Sequence, residues 1–377
     1  MMHRHTGTRL RGALVGYGFI GAKGHVPAYA RRKDVEIAAV ADSCAGRRAL
    51  VAEQLPGARV YADAQQLLAA EKGNLDFIDI ATPPCDHAKI AQAAFDAGLH
   101  VLCEKPMATS VEETSGLLER ARKVKRVLFP CHNYKHAPVV TAISDIIRSG
   151  RIGKVRAVTL ETFRNTHAKG VLEWNTHWRR EKRYSGGGIA MDHGSHSLYL
   201  TFDWMSAFPS AVMAKMANQT PDRWDTEDNF FAVLTFPNGG LAHAHLTWTA
   251  GVRKVMYMVQ GERGAVTVDD DELQLAVMKS TNGPDVAQGA VTWDVSRQSI
   301  SSKWMDASHT EWFNAMFDQF ACAIENHDYV GREALQAHRC VEIITTAYQS
   351  AALGCRELPL TGRPHPLSRV SSSVEIQ

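Results

Sequence analysis

The sequence predicts an α/β protein: a doubly wound parallel sheet at the N-terminus, then a second α/β domain on a large, mostly antiparallel open sheet. Three observations carry that expectation. From Leu10 to Cys131, short apolar runs alternate with amphipathic stretches, the pattern of parallel strands covered by helices on both faces. From Lys154 to Asp269, strand-like runs dominate and alternate well, as in Ala242, Ala244, Leu246 and Trp248, which suits an antiparallel sheet with one buried face. Between the first strand and the first helix stands Gly16-Tyr17-Gly18-Phe19-Ile20-Gly21, the glycine loop of a Rossmann unit.

That first unit sets the rest. Strand Leu10–Val15 leads into the loop, where Gly16 allows the tight turn, Gly18 the approach of a pyrophosphate and Gly21 close packing of helix on strand. A helix then runs to Tyr29, its N-terminus offering free N–H groups to phosphates. The second strand, Val35–Val40, ends on Ala41-Asp42, 21 residues past Gly21, where an acid would hold the ribose 2′-OH of NAD. Helices are expected over 45–55, 64–71, 86–97 and 111–123, and strands over 59–61, 76–81, 100–103 and 126–131. Ligands bind such sheets at the carboxyl ends of the strands. Attention therefore falls on Thr82-Pro83, Glu104-Lys105-Pro106 and His132-Asn133. In the second half, strands are expected over 154–164, 211–219, 229–236, 241–248, 254–260 and 265–269, with Pro237-Asn238-Gly239-Gly240 as a hairpin turn. Helices are expected over 188–205, 310–326 and 332–353, residues 1–9 are expected to be loose, and serine-rich 362–377 a flexible tail.

Composition narrows the function classes. The 377 residues suffice for two full cores. With 45% hydrophobic and 22% charged residues and a net charge of +2, neither nucleic acid nor a membrane is expected as partner. No apolar run reaches membrane-spanning length, and the start, Met1-Met2-His3-Arg4-His5, does not read as a signal peptide. The 7 cysteines contain no CxxC pair, which points to reduced thiols in a cytoplasmic protein. Cys85, Cys103 and Cys131 read as small core residues, and His243 with His245 as a solvated or interfacial pair.

Two stretches could carry chemistry. Lys105, after a buried strand and before a proline that favours a cis bond, could polarise a hydroxyl or carbonyl. The bland alternative is a solvated lysine at a strand end. In Gly186-Gly187-Gly188-Ile189-Ala190-Met191-Asp192-His193-Gly194-Ser195-His196, Asp192 and His196 are four apart on one helix face. A carboxylate-oriented histidine is a general acid/base arrangement; an ordinary buried pair is the alternative. A metal on Asp192, His193 and His196 lacks a remote ligand, so none is expected. His132, Asn133, Tyr134 and Lys135 could line the pocket, as could Trp178 and Arg179, by stacking and hydroxyl binding.

These residues resemble the glucose–fructose oxidoreductase, inositol dehydrogenase and rhizopine catabolism (Gfo/Idh/MocA) family over residues 10–361. The resemblance rests on Gly16–Gly21, Ala81-Thr82-Pro83 with His87, Cys103-Glu104-Lys105-Pro106, Ile152-Gly153-Lys154-Val155, the Gly187–His196 segment, Gly261-Glu262-Arg263-Gly264 and Tyr348-Gln349-Ser350-Ala351. It implies a Rossmann domain over 1–131, a substrate-binding and oligomerisation domain over 132–361, and a homodimer or homotetramer. It places the catalytic lysine, aspartate and histidine on Lys105, Asp192 and His196. Cofactor contacts are then expected from Gly16, Gly18, Phe19, Ile20, Gly21, Asp42, Thr82, Pro83, His87, Glu104 and Lys105. Substrate contacts are expected from Lys105, His132, Asn133, Tyr134, Trp178, Arg179, Asp192, His193 and His196. The implied reaction oxidises a secondary alcohol of a sugar or cyclitol. His196 takes the hydroxyl proton, Lys105 stabilises the oxyanion, and Asp192 fixes substrate and imidazole. NAD is expected over NADP because Asp42 would repel a 2′-phosphate, although Arg47 and Arg48 stand nearby. Tyr199 and Lys135 replace an acid and an arginine common in the family, departures that bear on the substrate. The same resemblance includes NAD-dependent glycosidases, in which the cofactor returns unchanged; a ligand-sensing or scaffold protein is the third reading.

Overall fold

In the computed structural model, which describes residues 9–279, 292–302, 304 and 309–361, the first six strands form one wholly parallel sheet. They are β1 (Leu10–Val15), β2 (Val35–Ala41), β3 (Arg59–Tyr61), β4 (Phe77–Ile80), β5 (His100–Cys103) and β6 (Leu128–Pro130), in spatial order β3-β2-β1-β4-β5-β6. The order reverses between β1 and β4, which makes their carboxyl ends the crevice of the sheet. The crossovers carry α1 (Val26–Ala30), α2 (Ala45–Gln54), α3 (Ala64–Ala70), α4 (Pro84–Asp96) and α5 (Val111–Val124). All four residues of β4 are buried, which is why this strand reads as a continuous run rather than an alternation. Helix α5 is bounded as its sequence dictates: the Ser110 side chain accepts from Glu113 N, and Glu113 reaches back to Thr109 N. Where one helix was expected after the glycine loop, a π-helical turn (Gly21–His25) leads into the short α1.

The second sheet has nine strands. After α6 (Pro138–Arg148) come β7 (Val155–Phe163), α7 (Lys182–Ser185), α8 (Ile189–Met205), β8 (Ala211–Ala217), β9 (Asn229–Thr235), β10 (Leu241–Thr247), β11 (Lys254–Gly261), β12 (Gly264–Asp269), β13 (Glu272–Lys279) and β14 (Thr292–Ser299). Helices α9 (Thr310–Glu325) and α10 (Arg332–Ala352) and the short β15 (Leu358–Pro359) complete it. The order is β14-β13-β12-β11-β7-β10-β9-β8-β15, antiparallel except for the parallel pair β7/β10. The expected hairpin joins β9 to β10, with Gly239 at φ +77°.

One face of this sheet packs on α8 and α10, through Tyr199, Phe202, Ile343 and Ile344 against Val212, Phe230, Leu234 and Leu246. Helix α9 goes elsewhere: Phe313, Phe317 and Phe320 pack with Phe77, Leu102 and Phe129 of the parallel sheet. The elements without a counterpart in the sequence reading include α6, β13 and β14. In β14 every residue is exposed, so no burial pattern marks it as a strand. The expected tail, 362–377, and residues 1–8 of the expected loose start lie outside the described residues. No helix among the described residues is long and apolar enough to cross a membrane.

Candidate active site

The carboxyl ends of the parallel strands and the N-terminal part of α8 share one cleft of about 780 Å³. Gly16, at φ +98°, would place a Cβ 2.6 Å from Ala81 O, and a Cβ on Gly21 would lie 2.4 Å from Gly16 O. Both positions demand glycine. Gly18 differs: no atom of the described residues lies within 4 Å of its Cβ position, so the loop presents open space to the cleft together with Phe19 and Ile20. Gly21 is not on the cleft wall. It lies beneath the loop, so its part is packing rather than contact.

At the end of β2, Asp42 Oδ2 accepts from Tyr17 N at 2.7 Å and Oδ1 from Cys44 N at 2.8 Å. The neighbouring arginines are engaged beside it: Arg47, which also lines the cleft, donates from Nε to Tyr17 O and from Nη1 to Glu173 Oε1, and Arg48 Nη1 donates to Asp42 O and Ser43 O. Thr82 and Pro83 line the cleft, as expected. His87 does not. It is wholly buried, its ring nitrogens 2.8 Å from Thr82 O and 2.8 Å from Pro106 O. The structure thus makes it a brace between two cleft loops instead of a cofactor contact.

Lys105 precedes a cis peptide bond to Pro106. Its Nζ donates to Asp192 O at 2.7 Å and lies 3.1 Å from Asp192 Oδ1. Behind it, Glu104 accepts from Lys105 N at 3.0 Å and meets His25 Nε2 at 3.1 Å, while His25 Nδ1 meets Asp79 Oδ2 at 2.6 Å. Burial alone would lower the His25 pKa, but Asp79 and Glu104 push it up to about 10. That imidazolium sits between two buried carboxylates directly under the Lys105 turn. His25, Asp79 and Cys131 are also the one group among the described residues whose ligand-type atoms lie close enough together to hold a metal, but both His25 nitrogens are already taken.

The glycine run before α8 has a packing reason. A Cβ on Gly188 would lie 1.8 Å from Glu227 O and one on Gly187 2.0 Å from Tyr348 Oη. The buried Glu227 carboxylate caps this helix from outside: it accepts from Gly188 N and Ala190 N at 2.9 Å each, and from Tyr348 OH at 2.9 Å. Glu227→Ala takes the acceptor from Ala190 N and the Tyr348 hydroxyl and leaves Gly188 N only Tyr348 Oη at 3.2 Å; it should lower unfolding stability by about 2 kcal/mol, read from the urea midpoint, and a midpoint equal to wild type would show that the cap is dispensable.

On α8, burial would raise the Asp192 carboxyl, but Lys105 and then Arg179, whose Nε is 3.3 Å away, hold it well below the usual carboxylate range. His193 Nδ1 lies 3.2 Å from Asp192 Oδ2, at ion-pair distance. His196 turns the other way. Its Nδ1 meets Tyr199 Oη at 2.6 Å and its ring stacks on Tyr134 at 3.8 Å. Burial, then the charge of Lys105, holds His196 well below the ordinary histidine range. The expected Asp192–His196 pairing is therefore corrected: one helix face brings both to the cleft, but Asp192 is drawn to two cations and Tyr199, one turn on, orients the imidazole.

Asn133, Tyr134, Trp178, Arg179 and His193 line the cleft, and the Arg179 guanidinium lies 4.1 Å over the Trp178 ring. His132 does not line it. Its Nδ1 is 2.7 Å from Glu333 Oε2, and Lys135 pairs with Glu333 and Asp203 behind the wall. Of the two family departures, Lys135 does not line the cleft but lies 5.6 Å over the ring of Tyr199, and Tyr199 in turn meets the His196 imidazole. Arg164, Arg253, Trp304 and His309 also line the cleft and were missed in the sequence; Arg164 and Arg253 had a weak signal, at the end of the strand expected over 154–164 and directly before the one expected over 254–260. His245, expected to be solvated or interfacial, stacks on Phe231 at 3.9 Å.

Known proteins bear on this cleft. The family model described as oxidoreductase family, NAD-binding Rossmann fold, matches residues 10–132, and the GFO/IDH/MocA C-terminal domain matches residues 140–267. D-glucoside 3-dehydrogenase of Escherichia coli (strain K12) is 28% identical over 267 residues, covering 67% of this chain and 74% of that protein. Levoglucosan dehydrogenase of Pseudarthrobacter phenanthrenivorans is 27% identical over 315 residues, covering 70% of this chain and 75% of that one. GenD2 from gentamicin A biosynthesis, solved in complex with NAD, matches with a TM-score of 0.78 at 25% identity over 96% of this chain and 99% of that chain.

Proposed function

This chain belongs to the GFO/IDH/MocA family of oxidoreductases, and from that premise we propose that it transfers a hydride between NAD and a secondary alcohol of a sugar, sugar derivative or cyclitol. The observation that carries this reading is the convergence of Lys105, Asp192 and His196 on a cleft that also holds the glycine loop. Relatives named as dehydrogenases of sugars, and neighbours named as NAD or NADH complexes, support it.

The open space over Gly18 and the pre-oriented Asp42 carboxylate fit a dinucleotide. Gly16, Gly18–Ile20, Asp42, Thr82, Pro83 and Glu104 would hold it. When bound, NAD supplies the hydride acceptor or donor at its nicotinamide. Lys105 donates from Nζ to the substrate oxygen and stabilises the charge that grows there. Asp192 keeps that ammonium in place. His196 holds an unprotonated Nε2 toward the alcohol proton. As Nε2 takes that proton, Nδ1–H donates to Tyr199 Oη, which also accepts from Tyr134 N at 3.3 Å. Residues 1–131 serve the dinucleotide in this reading and 132–361 the substrate.

With Asp42 in place, Arg47 neutralised by Glu173 and Arg48 tied to backbone carbonyls, NAD should bind tighter than NADP by about tenfold or more. Fluorescence titration with both cofactors checks this; tighter NADP binding would give Arg47 or Arg48 the deciding part. The far face of the nine-stranded sheet carries Met213, Phe231 and Leu241, each 39–50% exposed. An apolar sheet face of that kind fits a second copy of the chain. Light scattering should give a dimer or tetramer, and a monomer at micromolar concentration would contradict it. The reading as a whole is tested by following NADH absorbance on mixing the protein with NAD and a panel of sugars and cyclitols.

A further inference from the structure

Arg164 directly follows β7 and Arg253 directly precedes β11, strands that pair antiparallel with Lys254 opposite Phe163. The two arginines are thus neighbours at one end of adjacent strands, and both line the cleft that holds Lys105 and His196. Arg164 is only 9% exposed. Its Nη1 donates to Phe163 O at 2.7 Å and Lys254 O at 3.1 Å, and Arg253 Nη2 donates to Trp304 O at 2.6 Å. Their remaining guanidinium nitrogens have no protein acceptor among the described residues. Nor does either have a carboxylate partner there, whereas Arg179 has Asp192 and Arg180 has Asp228. Burial and the charge of Arg164 pull Arg253 below its ordinary value, and the opposing influence of Asp270 is smaller. Asp192, shared by Lys105 and Arg179, is not free to neutralise them.

Like charges facing each other across strands are destabilising, and more so where burial strips water from them and no carboxylate answers them. A neutral polyol leaves that cost standing, whereas an anion between the two guanidinium forks relieves it. We infer that the substrate of this cleft carries an oxyanion group, a carboxylate or a phosphate, bound by Arg164 and Arg253 while its alcohol lies against Lys105 and His196. This inference rests on the oxidoreductase reading for the alcohol and on the arginine pair for the anion.

The test is binding to the full-length, NADH-loaded protein, followed by NADH fluorescence and needing no turnover. The probes are D-glucose, D-glucuronate, D-gluconate and D-glucose 6-phosphate. At least one anion should bind about tenfold tighter than D-glucose, and the preference should shrink with added salt. It should fall toward parity in Arg253→Gln, with NADH affinity and unfolding temperature reporting that the variant is folded. Arg164→Lys, which keeps a charge but loses the fork, should reduce it less. Preference for the two acids assigns a carboxylate, and preference for the phosphorylated sugar a phosphate. D-glucose binding as tightly as every anion, no anion binding, or an anion preference untouched by Arg253→Gln would overturn the inference. Anion preference, with no hydride transfer from any probe when NAD replaces NADH as the acceptor, would stand against the proposed activity and leave this inference intact.

Discussion

Alanine in place of Lys105 is expected to lower turnover by about 10²–10⁴, the weight of a positioned catalytic group. Two contacts vanish with it, those to Asp192 O at 2.7 Å and Oδ1 at 3.1 Å. The substrate oxygen then loses its cationic donor, and Asp192 keeps only Arg179 and His193. Because the interaction strengthens as the oxygen gains charge, the loss should fall on kcat more than on KM. Lys105→Arg should not restore activity, since a planar guanidinium cannot take the place of a compact ammonium. Steady-state kinetics on folded variants, with NADH affinity measured in parallel, reads the effect. Turnover near wild type in Lys105→Ala would remove the lysine from the chemistry.

His196→Ala should cost a similar factor, about 10²–10⁴, with NADH affinity nearly unchanged. The second part of this expectation concerns pH. Burial and the nearby Lys105 charge keep His196 well below the ordinary histidine range, so the ring stays unprotonated and able to accept a proton down to acid pH. The acid limb of kcat/KM for alcohol oxidation should therefore lie below about pH 6.5, the unperturbed value. Removing the ammonium in Lys105→Ala should move any residual limb upward, because a neighbouring cation disfavours the imidazolium. An acid limb at or above 6.5 in the wild type, or unchanged turnover in His196→Ala, would take the histidine out of the proton transfer.

How far the sequence carried can be seen residue by residue. Gly16, Gly18, Asp42, Lys105, Asp192 and His196 were legible because each follows a strand or lies in the first turns of a helix at a fixed spacing, and spacing along one local unit survives folding. What those side chains touch was not legible. The i,i+4 rule put Asp192 and His196 on one face but could not know that Lys105, 87 positions earlier, would claim the carboxylate. His87 and His132 were misplaced for the same kind of reason: motif position brings a residue near the cleft, while neighbours such as Pro106 O and Glu333 decide whether it faces inward. Glu227 and Trp304 come from segments remote in sequence and carry no local signature. Strand β14 escaped because its exposed residues show no alternation of burial.

The most direct measurement is the absorbance of NADH formed when the protein is mixed with NAD and a panel of neutral sugars, glycosides, uronates, aldonates and cyclitols, run beside Lys105→Ala. Net NADH stoichiometric with an oxidised product in the wild type, formed about 10²–10⁴-fold more slowly in the variant, is the predicted result. Release of an aglycone from a glycoside with no net NADH, or net NADH undiminished in Lys105→Ala, would contradict it.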